Sequence, residues 1–340
     1  MQIDFIKFNS TFELALAFIV CAFIVVIFGF KLSIYAEALS HRYKIDSGII
    51  GLVFLAFITS LPELIVSISS LLREPLEIGA DLAIGNLLGS NLFNIFILGL
   101  LGFFYSKIFQ KVDKIKLHQK SLIQSLLLLL ITYIAYIYSN SLLWPTNTSW
   151  VLLLSPLLYL LFIKKYSETS NKEDIFINHS IKSLAEESAL YFHFKLLLMC
   201  LIIIISGIQL SSIGGNMALP RSQGGFGLDA SFIGLLFLAF CTSLPELIIA
   251  LSCLKQKLPD MAIGNIIGSN MFNLIILCLG DVLLKERILF EGALNNYDSL
   301  FGFIFIISVF TFIFLKNPKK IKIYSLCIIL TYLIALLFES

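Results

Sequence analysis

The sequence predicts an all-α integral membrane protein of ten transmembrane helices, arranged as two inverted five-helix repeats. Three observations carry this. The 340 residues are 58% hydrophobic and 14% charged, with mean hydropathy +0.94, too apolar for the surface of a soluble chain of this size. Apolar runs of the roughly 20 residues needed to cross a bilayer recur along the whole chain. One stretch is also written twice: residues 50–65, IGLVFLAFITSLPELI, return 183 positions later as residues 233–248, IGLLFLAFCTSLPELI, identical at 14 of 16 positions.

In chain order the apolar segments fall at 12–32, 47–72, 78–105, 117–138, 149–163, 191–213, 230–254, 259–284, 298–315 and 321–338. The first follows MQIDFIKFNS, which has neither a basic leader nor a small-residue cleavage site, so it is expected to be retained. The connections are short except for a polar linker at 164–190, placed on the cytoplasmic side between a first repeat (1–163) and a second (191–340). With the N-terminus outside, 19 of the 24 Lys and Arg fall on the cytoplasmic side, among them Lys107, Lys111, Lys114, Lys116 and Lys120 in one loop. Lys7, Arg73, Arg221, Lys285 and Arg287 fall on the other, so both termini are expected outside. Five segments per half is an odd number, so the second copy must enter the membrane upside down. Inverted repeats of this kind place a midplane site at their interface in many secondary transporters.

The duplicated stretch predicts that site. Glu63 and Glu246 stand deep in apolar runs, each directly after a proline. A charge at the bilayer centre costs at least about 2.5–3.5 kcal/mol, and a bound cation is the simplest compensation. Ala56, Thr59 and Glu63 share one helix face, with Ser60 at its edge; Ala239, Thr242, Ser243 and Glu246 repeat the pattern. Pro62 and Pro245 lack an N–H and free backbone carbonyls nearby. All these donors are oxygens, the ligands of hard cations such as Ca²⁺ and Na⁺. A second repeat follows each copy: AIGNLLGSNLFNIFIL at 83–98 and AIGNIIGSNMFNLIIL at 262–277. Asn86, Ser90 and Asn94 form a polar stripe, as do Asn265, Ser269 and Asn273, while Gly85/Gly89 and Gly264/Gly268 permit close helix contact.

Other polar residues read as structural. Asp46 and Asp229 sit at helix starts and are expected to cap them; for Asp81 and Asp260 capping is favoured over lining an ion mouth. Glu37 is expected at the membrane interface, and His41, His118, His179 and His193 show no ligand spacing. Cys21, Cys200, Cys241, Cys253, Cys278 and Cys327 fall in apolar segments without paired spacing and suit neither a disulfide nor a metal framework.

At TSLPEL with GNLLGSNLFN, and again TSLPEL with GNIIGSNMFN, the chain resembles the sodium/calcium exchanger family of the cation/Ca²⁺ exchanger superfamily, in its prokaryotic form. The resemblance implies Na⁺/Ca²⁺ antiport by alternating access at one central site. It implies acidic ligands Glu63 and Glu246, hydroxyl ligands Thr59, Ser60, Ser90, Thr242, Ser243 and Ser269, carbonyl ligands Ala56 and Ala239, and amide ligands Asn94 and Asn273. The first and sixth segments, with Gly29 and Gly207, resemble the family's gating helices. The chain departs from the family where Ile58 and Cys241 replace a common glycine, and where Asn273 replaces an aspartate found in some members. Two carboxylates then remain, enough to balance one Ca²⁺. The expectation is an antiporter of a prokaryotic inner membrane with no enzymatic activity and no cofactor. Its partners are the transported Ca²⁺ and Na⁺ and the lipid bilayer, without nucleic acid, and a monomer could suffice. A Ca²⁺/H⁺ antiporter is the alternative, and a cation channel a weaker one.

Overall fold

The computed structural model describes residues 8, 10–43, 56–73, 75–139, 143–144, 148–149, 151–169, 183–255, 257, 259–284, 289–293 and 295–339. Asp46, His179, the first residues of the duplicated stretch (50–55) and most of the polar linker lie outside them.

The long apolar runs fold as helices: α1 (Thr11–Arg42), α2 (Ala56–Thr59), α3 (Leu61–Leu71), α4 (Leu76–Phe104), α5 (Ile115–Ile137), α6 (Leu154–Thr169), α7 (Ala189–Ala218), α8 (Ala230–Lys255), α9 (Pro259–Leu283), α10 (Asp298–Lys316) and α11 (Ile321–Glu339). Among the described residues eight of these are long and apolar enough to cross a membrane: α1, α4, α5 and α7 to α11. Two expected spans remain. The second is α2 with α3, whose upstream part is not described, and the fifth is the 16-residue α6. Among the described residues the one strand pair is a two-residue antiparallel ladder, Leu143–Trp144 with Thr148–Ser149, in register Leu143↔Ser149. It occupies the connection before α6, where the fifth segment was expected to begin.

Burial separates the layers. The most apolar windows of α4 and α9 are 78% and 83% buried inside the protein, against 22% for α1 and 28% for α11. Phe12, Leu16, Ile19 and Phe23 of α1 are correspondingly exposed, as suits a lipid-facing wall. α4 and α9 cross each other and pack on α3 and α8. α1 and α7 pair on one side of this core, while α5, α10 and α11 flank the other.

Glycine sets the closeness of the core crossing. A Cβ on Gly85 of α4 would lie 2.5 Å from the Ser231 carbonyl oxygen and 3.2 Å from the Gly234 Cα. A Cβ on Gly89 would meet Leu235 backbone at 2.8 Å. The small-xxx-small spacing thus brings α4 backbone onto α8 backbone, close enough for short polar side chains to meet across it.

The two prolines act differently. Before Pro62 the helix breaks at Ser60 (φ −86, ψ 10), and α3 starts afresh with Pro62 in its first turn. Pro245 sits inside an unbroken stretch from Ala239 to Lys255, and the irregularity moves upstream into a π-helical turn at Ile233–Leu238. One motif therefore yields a break before its proline in one copy and a continuous helix through it in the other.

Candidate functional site

Glu63 and Glu246 are both fully buried where α3, α4, α8 and α9 meet, and the Glu246 charge reaches Glu63. Thr59, Ser60, Ser90, Asn94, Thr242, Ser243, Ser269 and Asn273 are all at most 1% exposed, and Ala56 and Ala239 are also fully buried. Hydrogen bonds across the repeats show how these residues are brought together. Thr59 Oγ1 lies 3.1 Å from Ser269 Oγ, and Ser90 Oγ lies 3.4 Å from Thr242 Oγ1. Ser243 Oγ donates to Glu63 Oε1 at 2.9 Å. Thr242 and Ser243 neighbour Glu63, while Thr59 and Ser269 neighbour Glu246.

The amides form a second reciprocal set. Asn94 Nδ2 donates to Asn270 Oδ1 at 3.0 Å, and Asn273 Nδ2 donates to Asn91 Oδ1 at 3.1 Å. Asn270 Nδ2 is in turn held by the Asn91 carbonyl at 3.0 Å. With their NH₂ groups tied back, Asn94 and Asn273 keep Oδ1 buried and unpartnered. The other buried atoms of the centre without a hydrogen-bond partner are Ser60 Oγ, Glu63 Oε2, both oxygens of Glu246, and the Asn265 amide. All but one of these atoms are oxygens. Buried polar atoms are normally paired, so a cluster of bare oxygens around two carboxylates has the donor chemistry of a hard cation site. Among the described residues no three His, Cys, Asp or Glu side chains cluster as a closed metal centre. The arrangement is two acids in a shell of neutral oxygens.

Two predicted ligands are less open. The Ala56 carbonyl accepts from Ser60 N at 3.0 Å and Thr59 Oγ1 at 3.1 Å, and the Ala239 carbonyl accepts from Thr242 Oγ1 at 3.4 Å. A threonine hydroxyl that turns toward an ion releases a lone pair on the carbonyl it had bonded.

The capping roles expected for Asp81 and Asp260 do not hold, and Asp46 lies outside the described residues. α4 begins at Leu76 with Pro75 at its N-cap, so Asp81 is in its second turn; its carboxylate instead accepts from Tyr297 Oη at 2.6 Å and Asn295 Nδ2 at 2.9 Å in the approach to α10. Burial and the Asp81 charge push the Tyr297 phenol far up, keeping it a proton donor. Asp260 serves not α9 but the entry to α5, accepting from Asp113 N at 3.2 Å, Lys114 N at 3.0 Å and His118 Nε2 at 2.8 Å. Asp229 occupies an N-cap position without a side-chain cap hydrogen bond. His118, one of four histidines without ligand spacing, is buried against Asp260. Sequence reasoning also passed over Asn91 and Asn270, whose signal was their place in both GSN repeats.

A buried acidic pair at the crossing of duplicated helices, inside a lipid-facing wall, defines a membrane transporter of cations. A profile of the family described as "Sodium/calcium exchanger protein" matches residues 13–165 and, separately, 188–340. The chain belongs to this family of cation/Ca²⁺ exchanger antiporters. The "Inner membrane protein YrbG" of Escherichia coli (strain K12) is 30% identical over 270 residues, covering 77% of this chain and 78% of that protein. The "Putative antiporter CaxA" of Alkalimonas amylolytica is 27% identical over 290 residues, 84% of this chain and 85% of that protein. In fold the chain is similar to the H⁺/Ca²⁺ exchanger CAX, with TM-score 0.69, 15% identity and coverage of 98% of this chain and 89% of that one. It is also similar to the sodium-calcium exchanger NCX_Mj, with TM-score 0.60, 24% identity and coverage of 95% and 98%.

Proposed function

We propose that this protein is a Na⁺/Ca²⁺ antiporter of a prokaryotic inner membrane, alternating access at one centre built on Glu63 and Glu246. The observation that carries the reading is the set of bare, buried oxygens around that pair. Ca²⁺ would sit between the carboxylates, with Thr59, Ser60, Ser90, Thr242, Ser243, Ser269, Asn94 and Asn273 completing its shell and the Ala56 and Ala239 carbonyls released to join them. Two negative charges neutralise one Ca²⁺ or are shared by the Na⁺ ions that replace it. Because both cations use overlapping oxygens, binding one excludes the other, and either load lets the centre change faces. The halves would be 1–163 and 191–340, joined by a cytoplasmic linker, with both termini outside.

Na⁺ rather than H⁺ coupling is favoured by Asn265–Ser269, NIIGS, where the cation/proton branch carries an acid near its GN motif. The test is ⁴⁵Ca²⁺ uptake into proteoliposomes loaded with Na⁺, with and without an outward Na⁺ gradient, for the parent, Glu63→Gln and Glu246→Gln. Uptake should require the Na⁺ gradient and vanish in both variants. Uptake driven by a pH gradient without Na⁺ would replace the reading with Ca²⁺/H⁺ antiport, and flux without any counter-ion would point to a channel.

A further inference from the structure

The two halves of the centre are sequence twins, yet their hydrogen bonding differs. On the Glu63 side only Glu63 Oε2 is left bare, and the neighbouring hydroxyl and amide are held. Ser243 Oγ donates to Glu63 Oε1 at 2.9 Å, Asn86 Nδ2 donates to Ser67 Oγ at 2.9 Å, and Asn86 Oδ1 accepts from Thr242 Oγ1 at 3.3 Å. On the Glu246 side the equivalents are bare: Ser60 Oγ, both Glu246 oxygens, and both Oδ1 and Nδ2 of Asn265 have no hydrogen-bond partner. Asn265 is nonetheless only 2% exposed.

Part of this asymmetry is covalent. Ser67 holds Asn86, and the residue 183 positions on, which would hold Asn265, is Ala250. Ala250 is fully buried, and its methyl offers the amide nothing. A primary amide buried with neither end paired is costly, and such groups persist where something else serves them.

We infer that Asn265 is a further cation ligand, supplying Oδ1 to a small monovalent cation on the Glu246 side of the centre. The inference rests on the antiport reading above. Asn265 lies one helical turn before Ser269, whose hydroxyl neighbours Glu246 together with Thr59. One turn, about 6 Å, separates it from the residues lining the carboxylate. A position there draws on neutral oxygens of Asn265, Thr59 and Ser60 rather than on both acids. Neutral ligand sets suit a singly charged ion, because a divalent ion gives up far more hydration and needs formal charge in return. Water retained by the ion also gives Nδ2 its acceptor. Asn86 cannot act in the same way while Ser67 and Thr242 hold it, so the extra ligand belongs to one half alone.

The test is thermal unfolding of the detergent-purified full chain, titrated with NaCl against choline chloride and separately with CaCl₂. The variants are Asn265→Ala, which removes the ligand, and Ala250→Ser, which offers Asn265 the partner that Asn86 already has. In both, the Na⁺ concentration giving half-maximal stabilisation should rise roughly fivefold, the effect of losing one good polar contact, while the Ca²⁺ value moves less than twofold. If the parent responds to Na⁺ and both variants respond identically, the inference falls and the antiport reading stands. If the parent responds to Ca²⁺ but not to Na⁺, the inference falls together with Na⁺ coupling. Equal shifts for both cations would place Asn265 in the shared Ca²⁺ shell and overturn the monovalent assignment.

Discussion

At the scale of single residues, the centre is tuned by which end of each amide is tied. Asn94 and Asn273 show their oxygens to the site because Asn270 and Asn91 hold their NH₂ groups. Residues that orient a ligand typically matter about 10–100-fold to metal affinity. Asn91→Ala removes the acceptor that fixes Asn273 but leaves the Asn91 carbonyl that holds Asn270. It should raise the Ca²⁺ concentration for half-maximal ⁴⁵Ca²⁺ uptake by about tenfold. In an Asn273→Ala background the same change should add little, since coupled residues are not additive; a full additive loss would show that Asn91 acts by another route. Asn94 and Asn273 were legible in the sequence because four-residue steps from Ser90 and Ser269 put them on one stripe. Asn91 and Asn270 are one residue off that stripe, about 100° around the helix, and no periodicity marks them.

At the scale of elements, backbone contact between α4 and α8 decides whether the polar faces meet. Gly85→Leu would drive a side chain into the Ser231 carbonyl and Gly234, and overpacking of this kind costs about 1–3 kcal/mol or more. Thermal unfolding should show a clear drop for Gly85→Leu and almost none for Gly302→Ala on α10, where an added Cβ meets nothing within 4 Å. Two carboxylate clasps tie the core to the flanking helices: Asp81 to Asn295 and Tyr297 before α10, and Asp260 to Lys114 and His118 at the start of α5. Tyr297→Phe should lower stability by about 1–3 kcal/mol by leaving the buried Asp81 carboxylate short of a donor, and His118→Ala by less, because the Asp260 carboxylate is partly exposed to solvent. Because the clasps are separate, the two losses should add. The helices themselves were legible from apolar length. The clasps were not, because Asp81 reaches 216 residues along the chain to Tyr297, and a carboxylate near a helix start looks locally like a cap. The break at Ser60 was foreshadowed by Pro62; the continuous helix through Pro245 was not, since both copies carry the same TSLPEL.

At the scale of the molecule, reciprocity is the signature of a two-fold relation between the repeats. Thr59 meets Ser269 as Thr242 meets Ser90, and Asn273 meets Asn91 as Asn94 meets Asn270. Asp81 and Asp260, each five residues before the equivalent asparagines, clasp the entries of equivalent helices. This relation was legible because the duplication survives at 14 of 16 positions in its first motif. The number of crossings is the part that short elements leave to topology. Ten crossings put both termini on one side; if α3 or α6 alone turned back, the termini would part. On our proposal from the distribution of basic residues, that side is the outside and Lys319 lies in a cytoplasmic loop. Single cysteines at Ser10, Lys319 and Glu339, introduced with the six native cysteines replaced, can be labelled with a membrane-impermeant maleimide. In intact cells Ser10→Cys and Glu339→Cys should label before the inner membrane is opened, and Lys319→Cys only afterwards. Labelling of Ser10→Cys and Glu339→Cys from opposite sides would reduce the crossings to an odd number and end the inverted five-plus-five arrangement. Labelling of both from the cytoplasmic side would keep ten crossings and reverse the orientation.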